Sequence, residues 1–423
     1  MLHRPLENIR VLELAEGVAG PWAASLLGDL GAEVIKLEAI QRMDQTRGQK
    51  WPKPGTTYYP KGDPGPEPWN VNVSYVRTNR NKLSLTLDLS REKGLRLFKD
   101  LVRLSDVVMT NMVTGVPEKM GIDYFSLRKI RPDIIMLTSC GFGHSGPYAR
   151  YVAMAGSMDP ISGHAWLRGY EGEDPLTTSY SAHTDSANAS TSAFAIVAAL
   201  HHRAMTGRGQ HVDVSGVETM MPHLGEAILD YTMNGRVQTS IGNRHPQMAP
   251  HNLYRAAGND RWVAIACRSE RDWQNLCRAM GNPPWIHTPD FKTSLSRWRN
   301  REALDAHIEA WTRILPGHDI ASRLQTLGVP CSPLVDNKDS LTEPHNHAVG
   351  FFETIRHRLL GDFDLSGLGW KMPATTPGIR RPPPALGEDN ERIYTGLLGL
   401  SDSAYAALLQ EALTGSEPLD NPV

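Results

Sequence analysis

Cysteine is scarce. The 423 residues contain four, Cys140, Cys267, Cys277 and Cys331, and none are spaced as CxxC. That spacing excludes a zinc knuckle or a dithiol motif, and so few thiols suit a reducing compartment. Excess charge is also missing. Lys and Arg number 44 against 46 Asp and Glu, a formal net charge of −2. Such a balance leaves no electrostatic footprint for nucleic acid or an anionic membrane. Any anion must be held by a local site. The best apolar run, Ala193–Leu200, is far too short to span a bilayer. The opening "MLHRPLENIRVLELAEG" lacks the apolar stretch of a signal peptide, so a cytoplasmic location is expected. Neither a GxGxxG fingerprint nor a Walker lysine follows the first strand, which removes support for a dinucleotide dehydrogenase.

What is present is ordinary for a protein with a real core: 40% hydrophobic and 21% charged residues. "IRVLEL" (9–14), the helical "WAASLLGDL" and "AEVIKLE" form a βαβ unit, which implies a parallel sheet with helices on its faces. The alternating "LSLTLDLS" (83–90) predicts a strand, and "REKGLRLFKDLVRLSD" an amphipathic helix. "VVMT" and "DIIMLTS" (133–139) are further strands. A helix over about 186–205 and the strand "QHVDVS" complete a large α/β body. A helix over 217–235 leads to a long loop, "GNRHPQMAPHN". A hairpin turning at Gly258–Asn259–Asp260 follows. Helices are then expected near 270–280, 298–312 and 318–327. The boundaries read as a large domain from 1–220, a linker and small α+β domain from 221–330, and a return to the large domain with a tail from 331–423.

Several segments are candidates for chemistry. In "AEGVAGP" the start of a helix offers free N–H groups to an anionic ligand, although Gly17 and Gly20 are equally explained by a tight turn. Asp185 opens "HTDSANAS". It reads as an N-cap, or as an ionised carboxylate with room beside it for a bulky reactant, as a nucleophile requires. Arg208, in the turn "MTGRGQ", reads as solvated. In "GNRHPQMAP", Asn243, Arg244 and His245 are candidates for a carboxylate substrate, against a surface loop pinned by prolines. His183 reads as a local hydrogen-bonding partner or a helper of Asp185.

Taken in order, "PLENIRVLELAEGVAGPWAASLLGDLGAEVIKLE", "RNKLSLTLDLS", "GVPEKMGIDYFSLRKIRPDIIMLTSCGFGHSGPYAR", "ALHHRAMTGRGQHVDVSGVE" and "GVPCSPLVD" resemble the family III CoA-transferases, the CaiB/BaiF family. The resemblance spans nearly the whole chain. It implies a Rossmann-like large domain, a smaller α+β domain and an interlocked ring dimer. The family's nucleophile is an aspartate 21 residues before the Thr of its TG-x-G-Q turn, and Asp185 stands 21 residues before Thr206. For CoA, the resemblance implies Val18 and Ala19; Leu87, Asp88, Leu89 and Ser90; Asn111, Met112 and Val113; and Lys119 with Met120. The formyl-CoA branch has Gln, Arg and Arg where Val18, Ala39 and Lys119 stand, which argues against an oxalate enzyme.

The implied chemistry moves CoA from an acyl-CoA donor, succinyl-CoA, to a carboxylic acid through an aspartyl-CoA thioester. Coenzyme A is a substrate, and neither a metal nor a resident cofactor is required. The segment 157–175 looks more like the succinyl-CoA branches, with benzylsuccinate or another dicarboxylate as acceptor. Two rivals stand beside this reading. The α-methylacyl-CoA racemase branch uses a His–Asp pair, but Met154 falls where its histidine belongs. A non-catalytic subunit of a heteromeric transferase is the other.

Overall fold

The computed structural model describes residues 3–53, 55, 58–174, 177 and 183–420. Pro175, the last residue of the 157–175 segment, lies outside them. The chain divides into two compact units. The first comprises 1–164, 180–229 and 350–423, and the second 165–179 and 230–349.

The first unit is built on six parallel strands: β1 Arg10–Glu13, β2 Glu33–Glu38, β3 Lys82–Thr86, β4 Val107–Thr110, β5 Ile135–Cys140 and β6 His211–Ser215. Their spatial order is β3-β2-β1-β4-β5-β6. The order reverses between β1 and β4, and in open parallel sheets such a switch point opens a crevice at the carboxyl ends of the strands. Side-chain alternation assigns the two faces. Val11, Val34, Val107, Met109, Ile135 and Leu137 pack under helix α1 (Ala19–Asp29) and a long helix from His183 to Thr206. Leu12, Ile35, Leu85, Val108 and Met136 pack on the other face, against α2 (Glu92–Arg103) and Tyr394. The long helix is α3.

Two expectations about these elements are corrected. The run 83–90 is not strand throughout, because the β3 ladder ends at Thr86. The Asp88 carboxylate accepts the Ser90 N–H at 2.9 Å and its hydroxyl at 2.6 Å, which turns the chain toward α2. The helix expected over 217–235 is broken into Gly216–Met220, a tighter turn at Met221–Leu224, and Gly225–Asn234. Pro222 sits in the break and has no N–H to donate. A hairpin, Phe352–His357 with Gly361–Ser366, was not anticipated.

The second unit contains an antiparallel sheet of β7 (His251–Arg255), β8 (Trp262–Ala266) and β9 (Cys331–Leu334). Cys331–Leu334, expected to open the return to the large domain, pairs with β8 instead, and the chain re-enters the first unit at Gly350. The β7–β8 turn uses Gly258 at φ +114° and Asp260 at φ +50°. Helices Glu270–Ala279, Arg301–Thr312 and Gly317–Thr326 lay their apolar stripes over Tyr254, Val263 and Ile265.

Candidate active site

Helix α3 runs into β6, so it descends against the strand direction. Its first turn therefore stands at the carboxyl edge of the sheet, where α1 also begins. The small residues along it have a packing role. Ala189, Ala193 and Ala199 are buried in the core shared with α1. The Asn188 side-chain oxygen accepts hydroxyl hydrogen bonds from Ser139, at the end of β5, and from Ser192, at 2.9 and 3.0 Å. A methyl group on Gly216 would lie 2.6 Å from the Met158 sulfur and 3.1 Å from the Asn188 amide nitrogen. Close packing therefore holds the first turns of α3 against the sheet.

Asp185 is the third residue of α3, inside the first turn rather than at a cap. Among the described residues its carboxylate accepts no hydrogen bond. Burial pushes its pKa above the usual carboxylate range, and the opposing pull of Arg77 does not cancel this. Desolvation prevails over the favourable field of the helix start. A carboxylate stripped of partners, in partial burial, is a better nucleophile than a solvated one. The neighbouring Thr184 hydroxyl is buried and has no hydrogen-bond partner among the described residues. His183 meets the ring of His164 edge-on, with centroids 5.5 Å apart, and His164 Nδ1 lies 2.5 Å from Asp159. Burial and then Asp213 push up the thiol pKa of Cys140, at the end of β5, which disfavours its thiolate. Met154 is 64% exposed and precedes the helix Ala155–Ser162, so no imidazole stands at that position.

A cleft of about 430 Å³ opens at the switch point. Leu87, Asp88, Leu89, Ser90, Asn111, Met112, Val113 and Met120 line it, as do Glu16, Ala39 and Arg42. The first eight were anticipated for CoA. Glu16 and Arg42 were missed: in AEGVAGP attention fell on the glycines and the helix start, and Arg42 lies outside the quoted motifs. Val18, Ala19 and Lys119 do not line it. Val18 and Ala19 form the start of α1, and Lys119 is exposed on the short helix Val116–Met120. Asn111 lines the wall, but its amide is engaged. It accepts the Glu16 N–H at 3.0 Å and donates to the Glu16 carbonyl at 2.6 Å, clamping the loop after β1 to the end of β4.

Beneath that loop lies a buried ionic network. Lys36, fully buried on β2, reaches Asp44 at 2.8 Å, Glu13 at 3.3 Å and the Ala15 carbonyl at 3.0 Å. Lys82 on β3 reaches the other oxygen of Glu13 at 2.7 Å. Asp44 accepts the N–H of Gly17 at 3.0 Å and that of Thr46 at 2.9 Å. Burial raises the Asp44 pKa, but Lys36 and these donors override it and hold the acid at about 2. Gly17 has φ +81°, and a methyl on Gly20 would lie 2.4 Å from the Ala15 Cβ. The two glycines thus let the loop fold tightly onto the network. Arg47 binds both oxygens of Glu38 at 2.8 Å and lies over the Tyr75 ring.

In the second unit, Asn243 and Arg244 line a separate cleft of about 610 Å³ with His251 and Asn252. Arg244 is loosely paired, 3.9 Å from Glu171 and 3.7 Å from Glu302. His245 is not in that lining. Its Nδ1 accepts the N–H groups of Gln247 and Met248 and so caps its own loop. Among the described residues no group of His, Cys, Asp and Glu is arranged to hold a metal ion. No described helix is long and apolar enough to cross a membrane.

The strand order and the cleft at its switch point are those of a Rossmann-like α/β domain. Residues 6–390 match the model of CoA-transferase family III. The chain belongs to that family and is a CoA-transferase. It is 32% identical over 411 residues to succinyl-CoA–D-citramalate CoA-transferase of Chloroflexus aurantiacus, covering 96% of this chain and 97% of that one. The beta subunit of succinyl-CoA–L-malate CoA-transferase from the same organism is 30% identical, over 94% and 95% of the two chains. A crystal structure of a CaiB/BaiF family protein from Brucella suis superposes with a TM-score of 0.82 at 30% identity, covering 93% of this chain and all of that one.

Proposed function

We propose that Asp185 is the nucleophile of a CoA transfer from succinyl-CoA to a small dicarboxylic acid. The Asp185 carboxylate attacks the donor thioester carbonyl, forming a mixed anhydride and expelling the CoA thiolate. The thiolate attacks the Asp185 carbonyl carbon, releasing the donor acid and leaving an aspartyl-CoA thioester. The acceptor carboxylate attacks that thioester, and the expelled thiolate then takes the acceptor's acyl carbon, freeing Asp185. Each step exchanges one acyl bond for another, which is the gain of covalent catalysis. The observation that carries this reading is Asp185 itself: half-buried, without a hydrogen-bond donor among the described residues, at the carboxyl edge that holds the cleft.

The cleft accommodates the CoA chain along Leu87–Ser90 and Asn111–Val113. The donor and acceptor classes are supported by the relatives' names, which point to C4 and C5 dicarboxylates rather than benzylsuccinate. Asn243 and Arg244 give the second unit's own cleft groups that can hold a carboxylate by charge-assisted hydrogen bonds. The protein works in the cytoplasm as an interlocked dimer of identical chains. Phe194 and Met205, each 74% exposed on α3, support such a partner surface.

The test is a panel of dicarboxylic acids with succinyl-CoA, read by mass spectrometry of the CoA esters. Hydroxylamine should trap the acylated enzyme, with the hydroxamate at Asp185. A hydroxamate on any other residue refutes the assignment. A monomer in size-exclusion chromatography with light scattering refutes the dimer.

A further inference from the structure

The charges lining the switch-point cleft suit its anionic ligand poorly at first sight. Glu16, Glu38 and Asp88 line it, and Arg42 is the one Lys or Arg among the lining residues. Glu38 is neutralised by Arg47, and Asp88 is spent on the Ser90 turn. Arg42 is different. Its backbone is pinned, because its N–H donates to the Ala39 carbonyl at 3.0 Å in a tight turn after β2. That turn is tied down by Leu419 N–H donating to the Ile40 carbonyl at 2.9 Å and by the Gln41 amide donating to the Ala412 carbonyl at 2.8 Å. The Arg42 side chain is 78% exposed, and its ion-pair partner is Glu16 at 3.0 Å. Glu16 itself cannot follow it, since Asn111 clamps the Glu16 backbone from both sides.

We infer that Arg42 is the phosphate anchor of the cleft, held on Glu16 until the guanidinium transfers to a phosphate of the arriving acyl-CoA. An exposed pair with a single carboxylate is weak and readily exchanged. A phosphate offers the same fork-matched geometry with more charge. Glu16 then acts as a competitor that sets how tightly the nucleotide end is gripped. Its pKa is raised by burial, consistent with an acid poorly compensated where it stands.

This inference rests on the CoA reading of the cleft, and the experiment separates the two. Dissociation constants are measured by calorimetry for CoA, and inhibition constants for a pantetheine thioester lacking the nucleotide. Arg42→Gln should weaken CoA about tenfold and leave the pantetheine thioester unchanged. Glu16→Gln should tighten CoA about threefold, and most of that gain should vanish in the double variant. A CoA affinity of Arg42→Gln within about twofold of the parent, or an equal loss for the pantetheine thioester, overturns the anchor. Val113→Trp, which fills the cleft, tests the underlying reading. If it abolishes CoA binding while Arg42→Gln is neutral, the anchor alone fails. If it leaves CoA binding intact, CoA binds elsewhere and both fail.

Discussion

Two buried lysines share one acid, and their removal should cost unequal amounts. Lys36 and Lys82 are both fully buried, and both reach Glu13. Lys36 also neutralises Asp44 and donates to the Ala15 carbonyl. Lys36→Met therefore leaves Asp44 as a buried anion facing only hydrogen-bond donors. Breaking such a pair by removing one partner costs about 3–5 kcal/mol. For Lys82, burial first and then repulsion from Lys36 outweigh Glu13 and lower the pKa to about 7. At pH 8 its amine is mostly neutral. Lys82→Met leaves Glu13 paired with Lys36 and loses hydrogen bonds to the Pro21 carbonyl and Asn79, each 2.8 Å. That loss is about 2 kcal/mol.

The pH dependence sharpens the contrast. Lys82 has a depressed pKa, so between pH 7 and its ordinary value the unfolded chain binds more protons than the folded one. Stability due to this group is least below pH 7 and rises through that window. The cost of Lys82→Met should accordingly grow from pH 7 to pH 9. Asp44 is the mirror case. Its stabilisation is present above the ordinary carboxylate range and disappears only as pH falls toward 2. Lys36→Met should move the acid unfolding midpoint upward. Urea unfolding of both variants at pH 7, 8 and 9 is the assay, with CoA affinity as a second readout because Asp44 holds the Gly17 N–H. If Lys82→Met costs as much as Lys36→Met at pH 8, the division of charge argued above is wrong.

Asp185→Asn should abolish transfer, by on the order of 10⁴-fold or more, yet raise the melting temperature at pH 7. The raised pKa means that ionising this acid opposes folding, so a neutral isostere is favoured above the carboxylate range; a lower melting temperature would contradict this. Gly20→Ala places a methyl 2.4 Å from the Ala15 Cβ; it should cost about 1–3 kcal/mol and weaken CoA binding, measured by urea melts and calorimetry.

Much of the fold was legible because hydrophobic alternation and helical period are local properties. The six strands could be placed from apolar runs, and the βαβ order implied a parallel sheet. The misplaced features are those where a local pattern met a non-local partner. Leu87–Ser90 continues the alternation of β3, yet the chain turns away because the Asp88 carboxylate takes up the Ser90 N–H and hydroxyl in a local turn. Cys331–Leu334 carries no mark of its own that pairs it with β8.

By itself the sequence determined the class: the order of its motifs, and an aspartate at a set distance from a Gly-rich turn, sufficed to point to a CoA-transferase. Only the tertiary structure decided which residues make the cleft. It brought in Glu16 and Arg42, left out Val18, Ala19 and Lys119, and gave the Asn111 amide a second role as the clamp on Glu16. It also decided the protonation behaviour of Asp185 and Lys82. Burial and neighbouring charge set a pKa, and both are sums over parts of the chain that are distant in sequence.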